Sequence, residues 1–232
     1  MNNEIIFIIQ AVVSLGLMLF MLRLGKEWVM ILIVASVILM NTFVIKGVSL
    51  FGLDVTTGNI LYATVFLGTD MLAEFYGKKE AFKAVRMGFF ASVFFLFIAF
   101  IVVRYEPGQY DFAHGSLKTV FQFTPRIVIG SMIAYLASQH LDVYLYEKFN
   151  KWTKGKYLWL RNNGSTWISQ FVDSILFSFI AFYGVFPNLL EVMAFIYVIK
   201  VMIAALDTPF MYLSLWVVKK ERVPKQYKHL RT

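Results

Sequence analysis

The sequence contains no cysteine. That excludes disulfides, thiol nucleophiles and thiolate metal sites, and it leaves the redox compartment open. Charge is scarce as well: Asp, Glu, Lys and Arg make up 16% of the 232 residues, against about 25% in soluble globular proteins. Acids are the scarcer sign, 14 against 22 basic residues, for a net charge of +8. There are three His and five Pro. What fills the chain is apolar: 59% hydrophobic residues, 24 Phe and a mean hydropathy of +0.67. A soluble fold of this size would expose too much of that surface to water. The composition therefore excludes an ordinary cytosolic enzyme, a disordered chain and a nucleic-acid-binding domain.

About 20 apolar residues cross a hydrocarbon core about 30 Å thick. Runs of that kind occupy roughly 4–22, 28–45, 59–76, 87–104, 126–147, 165–184 and 189–218. They predict an all-α, polytopic membrane helical bundle of about seven transmembrane helices, in one domain over 1–232. The first run follows Met1-Asn2-Asn3-Glu4; without a basic leader or a small-residue cleavage site after it, it reads as a helix rather than a signal peptide. The basic residues orient the bundle. With the N-terminus outside, only Lys46, Arg104, Lys118 and Arg126 fall in outer loops, and Lys200 falls inside a span. The rest collect on inner loops and on the basic tail 219–232, as the positive-inside rule requires of an N-out, C-in chain. The basic balance is thus accounted for without nucleic acid.

The longest outer connection, Tyr105 to Pro125, carries Pro107, Gly108 and Gly115 and has room for a short interfacial helix over 116–123. The inner loop 148–164 carries Trp152, Tyr157 and Trp159, which suit an interface anchor. Asn163-Gly164-Ser165 matches a glycosylation sequon, but it falls on the inner side and reads as chance or as a helix cap.

The informative residues are polar ones within the spans. Asp70 and Glu74 lie in the third, Gln139 and Asp142 in the fifth, Gln170 and Asp173 in the sixth, Lys200 and Asp207 in the seventh. A charge at bilayer depth costs about 2.5–3.5 kcal/mol on insertion scales, so these groups must face the interior, pair, or take up a proton. Their i,i+3 and i,i+4 spacings put each pair on one helix stripe. Ser138-Gln139-x-x-Asp142 and Ser169-Gln170-x-x-Asp173 are two copies of one pattern on consecutive antiparallel spans, as an inverted pair would be. At 1.5 Å per residue, Asp70, Asp142 and Asp173 lie roughly 9–12 Å from the inner ends of their spans and Asp207 roughly 18 Å, one layer between the midplane and the inner third. The seventh span is over-long and holds Asp207-Thr208-Pro209, where proline predicts a kink or break. Structural readings compete with functional ones here: Asp207 is positioned to salt-bridge Lys200, Glu74 to snorkel, the glutamines to bind neighbouring helices. Gly130, Ala134 and Ser138 form a small-residue ridge for close packing.

No phosphate-binding loop, H-E-x-x-H motif, histidine cluster or Ser-His-Asp set occurs. The chain reads as no enzyme, with no cofactor and no metal.

Thr69-Asp70-Met71-Leu72-Ala73-Glu74-Phe75-Tyr76-Gly77 resembles the T-D-x-x-x-E-x-Y-G stretch of the queuosine precursor transporter family, also called the vitamin uptake transporter family. Ser138-Gln139 through Asp142-Val143 resembles that family's S-Q-x-x-D-V. Arg161-Asn162-Asn163-Gly164-Ser165, continuing to Ser169-Gln170 and Asp173-Ser174, is similar to its most recognisable segment, and Asp207-Thr208-Pro209-Phe210 with Tyr212 to its final span. The four blocks cover roughly residues 30–216. Many members are described with six spans, so the resemblance divides the chain into an extra N-terminal helix (1–27), a family core (28–218) and a basic cytoplasmic tail (219–232). It implies import of a 7-deazaguanine, such as the 7-cyano or 7-aminomethyl form, for the modified tRNA nucleoside queuosine, by a secondary or facilitative alternating-access mechanism. A carboxylate would accept the paired N–H donors of a guanine-like ring, amide and amine side chains would meet its other polar atoms, and aromatic faces would sandwich it. The candidate substrate-binding set is Asn41, Asp70, Glu74, Gln139, Asp142, Gln170, Asp173, Lys200 and Asp207. The implied partners are a planar purine-like small molecule, the lipid bilayer of the plasma (cytoplasmic) membrane and, as an open choice, a second copy of the chain. A proton is one candidate coupling ion. The alternative is a substrate-capture subunit of an energy-coupling-factor importer; such subunits usually bind ligand near the outer face, shallower than the layer expected here. A lipid-embedded scaffold or sensor is a third reading.

Overall fold

The computed structural model describes residues 2–121, 125–184 and 188–218. The basic tail 219–232 lies outside the described residues. Helices α1 (Asn3–Leu24) and α2 (Lys26–Phe43) are followed by a hairpin of β1 (Gly47–Leu50) and β2 (Leu53–Thr56). Then come α3 (Asn59–Tyr76), α4 (Lys78–Val102), α5 (His114–Phe121), α6 (Pro125–Trp152), α7 (Leu158–Phe182), α8 (Leu189–Ala205) and α9 (Thr208–Val217).

Among the described residues, five segments are long and apolar enough to cross a membrane: α1, α2, α4, α7 and the α8–α9 stretch. The third and fifth expected spans, α3 and α6, form as helices over the expected residues, and both carry interior polar groups. α3 is the axis of the bundle, buried at every residue from Ala63 to Tyr76. It packs against α1, α2, α4 and α6, and at fewer points against α8 and α9. α4 shows the packing logic: Ala81, Ala84, Val85, Gly88 and Ser92 face inward, while Phe90, Phe94 and Phe97 point outward. Small side chains inside allow close helix approach, and the large apolar ones are left for lipid.

Single glycines with positive φ join the first two helix pairs, Gly25 (φ 131°) between α1 and α2 and Gly77 (φ 89°) between α3 and α4. A side chain would strain either turn.

Several boundaries differ from expectation. The fourth span starts nine residues early, at Lys78, and α7 starts at Leu158 rather than 165. Arg161, Asn162 and Asn163 are therefore helical and buried, not part of an inner loop. The sequon asparagine caps nothing; its Nδ2 donates to Trp159 O (3.0 Å) and Thr208 Oγ1 (2.8 Å). The seventh span breaks into α8 and α9 at Leu206-Asp207, as the proline predicts. The short helix expected near 116–123 forms at His114–Phe121. The β1–β2 hairpin is unforeseen. It pairs Gly47 with Thr56 and Leu50 with Leu53, turning through Phe51 and Gly52, both at positive φ, as tight hairpin turns need. α1 pins it: Asn3 Nδ2 donates to Ser49 O at 3.2 Å, and Phe51 N to Glu4 Oε1 at 3.1 Å.

Candidate functional site

The buried polar groups do not form the single layer expected from helix rise. They stack in three tiers down α3, from Tyr62 to Asp70 to Glu74, spaced by about 12 Å and about 6 Å.

The first tier centres on Asp173 of α7. Its Oδ1 accepts from Tyr62 Oη at 2.5 Å and Ser138 Oγ at 3.1 Å; its Oδ2 pairs with the Lys200 ammonium. The Lys200 Nζ also lies 4.9 Å from the centre of the Tyr62 ring. Of the intramembrane acids open to it, Lys200 pairs with Asp173 rather than Asp207. These groups form one wall of a cavity of about 240 Å³. The cavity lies towards the hairpin end of the bundle, and its wall includes Asn41, Thr56, Asn59, Ser131 and Tyr135. Asn41 is held by its own Nδ2, which donates to Val37 O (2.9 Å) and Ser92 Oγ (3.4 Å). Gly58 closes the mouth between α2 and α3: a Cβ there would lie 2.9 Å from the Met40 carbonyl oxygen.

The second tier holds Asp70, Gln139, Asp142 and Asp207. Asp142 Oδ1 accepts from Ser169 Oγ at 3.0 Å, and Gln139 Oε1 from Thr69 Oγ1 at 3.3 Å. The carboxyls of Asp70 and Asp142 are within hydrogen-bonding reach of each other. Asp207 Oδ1 accepts from Asn162 Nδ2 at 2.8 Å. Gln170 lies between the tiers, on a narrow cleft shared with Tyr62, Thr166 and Lys200.

The third tier is closed. Arg161 donates to both Glu74 oxygens, at 2.5 and 3.0 Å, and Tyr146 adds a third bond at 2.9 Å. The remaining Arg161 nitrogen donates to the carbonyls of Gly155 and Lys156 (3.0 and 3.1 Å), sealing the α6–α7 turn. Glu74 neither snorkels nor reaches the cavity.

The two S-Q-x-x-D copies meet reciprocally. Ser138 of α6 bonds Asp173 of α7, and Ser169 of α7 bonds Asp142 of α6. The same antiparallel register runs on to Gly130, whose Cβ would lie 3.2 Å from Ile180 Cγ2 and 3.5 Å from Ala181 N. Tyr62, Tyr146 and Arg161 are the functional residues that sequence reasoning missed. Arg161 had a signal, being a lone arginine leading a polar, otherwise uncharged stretch.

A bundle that turns large apolar side chains outward and sets a buried ion pair, Asp173–Lys200, on the wall of an internal cavity fits a multi-pass membrane protein of the transporter class. The family model described as "Putative vitamin uptake transporter" matches residues 56–214. The chain belongs to that family. It is 37% identical to the "Probable queuosine precursor transporter" of Bacillus subtilis (strain 168), over 91% of this chain and 93% of that protein. It is 28% identical to the "Queuosine precursor transporter" of Escherichia coli (strain K12), over 62% of each. A "Probable queuosine precursor transporter" of Haemophilus influenzae is 28% identical over 57% of this chain and 54% of its own length. No solved structure matches the chain.

Proposed function

We propose that the protein imports queuosine precursors of the 7-deazaguanine type across the plasma membrane, by alternating access through seven spans arranged N-out and C-in. The observation that carries this is the cavity on Asp173, Lys200 and Tyr62, taken with the printed names of the relatives. At about 240 Å³ it is smaller than the roughly 300–1,000 Å³ of ordinary ligand pockets, which favours a compact, flat ligand. Asp173 and the Asn41 Oδ1 offer acceptors, Lys200 offers donors, and Tyr62 and Tyr135 offer ring faces. Neighbouring N–H donors on a guanine-like edge fit a carboxylate acceptor.

The orientation follows from charge: it sets the hairpin end, with the cavity, outside, and the Glu74–Arg161 end, near Lys78, Lys148 and Lys151, inside. The structure then reads as outward-facing. The cavity's position near one end would also suit a capture subunit, but none of the three relatives carries such a name, so nothing here supports that alternative.

A direct binding measurement comparing guanine with its 7-cyano-7-deaza and 7-aminomethyl-7-deaza forms tests the reading. Tighter binding of either deaza form, lost in Asp173→Ala together with labelled uptake, is expected. Equal or absent binding of all three, or normal uptake by a membrane-inserted Asp173→Ala, refutes it.

A further inference from the structure

Among the described residues, Asp70 is the carboxyl with both oxygens buried and unpartnered. It is fully buried on the central helix, and neither carboxyl oxygen meets a hydrogen-bond donor. The group within hydrogen-bonding reach is a second carboxyl, Asp142. A carboxyl-to-carboxyl contact is a hydrogen bond only when one of the two carries a proton.

Among the described residues no cation is placed to do that work. Of the buried basic groups that face the interior, Arg161 is closed on Glu74 and Lys200 on Asp173. The other ionisable groups around the pair are Glu74 on α3, Tyr146 on α6 and Asp207 at the α8–α9 break. The two acids add negative charge, and Tyr146 is spent on Glu74. A metal ion is disfavoured too: among the described residues no three His, Cys, Asp or Glu side chains gather as metal ligands.

The remaining polar atoms point to a small, mobile ligand. Asp142 Oδ2, Gln139 Nε2 and Thr166 Oγ1 are buried without partners. The Thr166 and Ser165 hydroxyls adjoin the Asp142 carboxyl. Thr166 also lines the narrow cleft between α3, α7 and α8, about 10 Å³ in volume, whose wall includes Tyr62 and Lys200. That is close to the least space that holds one water, roughly 10–15 Å³. The cleft lies between the Asp173 tier, which faces the cavity, and the carboxyl pair.

We propose that Asp70 and Asp142 form a proton-binding site that holds one shared proton, and that its exchange with the cavity, through the Thr166–Gln170 cleft, drives transport as proton symport. The proposal rests on the transport reading above and adds its energy source. The cavity and the cleft that leads to the pair share a wall, since Tyr62 and Lys200 line both spaces. A ligand that moves Lys200 or Tyr62 therefore changes access to the pair.

The test uses the full chain in lipid vesicles with labelled 7-cyano-7-deazaguanine. With the outer side acidic by one pH unit and no membrane potential, wild type should accumulate up to about ten-fold at one proton per substrate. In Asp142→Asn and Asp70→Asn, each isosteric with the protonated acid, accumulation should fall to the equilibrium level, while labelled substrate still exchanges with unlabelled. Infrared difference spectra should show a protonated-carboxyl band in wild type that the D70N/D142N double variant lacks. The proposal is overturned if wild type accumulates substrate without regard to the pH gradient, if accumulation follows sodium instead, or if the band survives in the double variant. Absence of any exchange by wild type would instead refute the transport reading, and the infrared band would still decide the proton site.

Discussion

Asp173 and Glu74 are both buried carboxylates, and their surroundings assign them different work. Glu74 is enclosed by three donor bonds with no cavity beside it. Removing one partner of such a pair leaves an uncompensated buried charge and costs about 3–5 kcal/mol. Arg161→Met should therefore lower stability by that amount, and Glu74→Gln combined with Arg161→Met should recover most of it, as read by thermal unfolding in lipid or detergent. A double variant no more stable than Arg161→Met would show that the pair is not what holds the inner end shut. Asp173 has as many bonds, but Lys200 and Tyr62, which supply two of them, also form the wall of the cavity. Lys200→Met should leave the bundle folded and weaken 7-deazaguanine binding by about 2 kcal/mol or more, roughly thirty-fold in Kd. Unchanged affinity in that variant would move the ligand off this wall.

At the scale of elements, the organising feature is the α6–α7 hairpin with its reciprocal Ser–Asp bonds. The pattern was legible in the sequence because both copies carry the same i,i+3 spacing, and the inverted pairing follows from antiparallel neighbours joined by a short turn. The helices themselves were legible wherever an apolar run exceeds a membrane's thickness. Their ends were not: Arg161, Asn162 and Asn163 look like loop residues until Glu74, Asp207 and Thr208 are seen to receive them. The tiers were not legible either. Helix rise measures depth from a span's end, and α7 begins well before its apolar run while α6 continues past its own. The β1–β2 hairpin escaped because its turn uses Phe51 in the left-handed region, where the usual hairpin signal is Asn or Gly. Lipid-facing and buried Phe look alike in a sequence, so the aromatic wall of the cavity had no signal; Tyr62 belongs to it. The tight contact at Gly58 yields a prediction at this scale. A Cβ there meets backbone, the Met40 carbonyl at 2.9 Å and Val44 Cα at 3.3 Å, which cannot rotate away. Gly58→Ala should push α2 from α3, cost about 1–3 kcal/mol of stability and reshape the cavity mouth. Binding should weaken together with the thermal transition. A fully stable variant with native affinity would show that the two helices have slack at this point.

For the whole molecule, the two ends differ: one holds a cavity roofed by the hairpin, the other is locked by Arg161. Alternating access requires that these states exchange. The absence of cysteine makes the exchange measurable, because any thiol introduced is the sole target of a thiol reagent. Phe51→Cys, at the exposed hairpin turn, and Trp152→Cys, at the exposed end of α6, sit at opposite ends of the bundle. In intact cells a membrane-impermeant reagent should label the first and spare the second; the reverse, or labelling of both, would overturn the N-out, C-in arrangement. Ser131→Cys, on the cavity wall, then reports the state. It should be labelled from outside without substrate and protected as the precursor saturates. The Arg161→Met variant, its inner lock removed, should favour the inward-open state and slow that outside labelling severalfold. If Ser131→Cys is labelled at the same rate in both backgrounds, the Glu74–Arg161 pair braces the fold without gating it, and the inner gate must lie elsewhere, with the Asp70–Asp142 tier the next barrier along the axis.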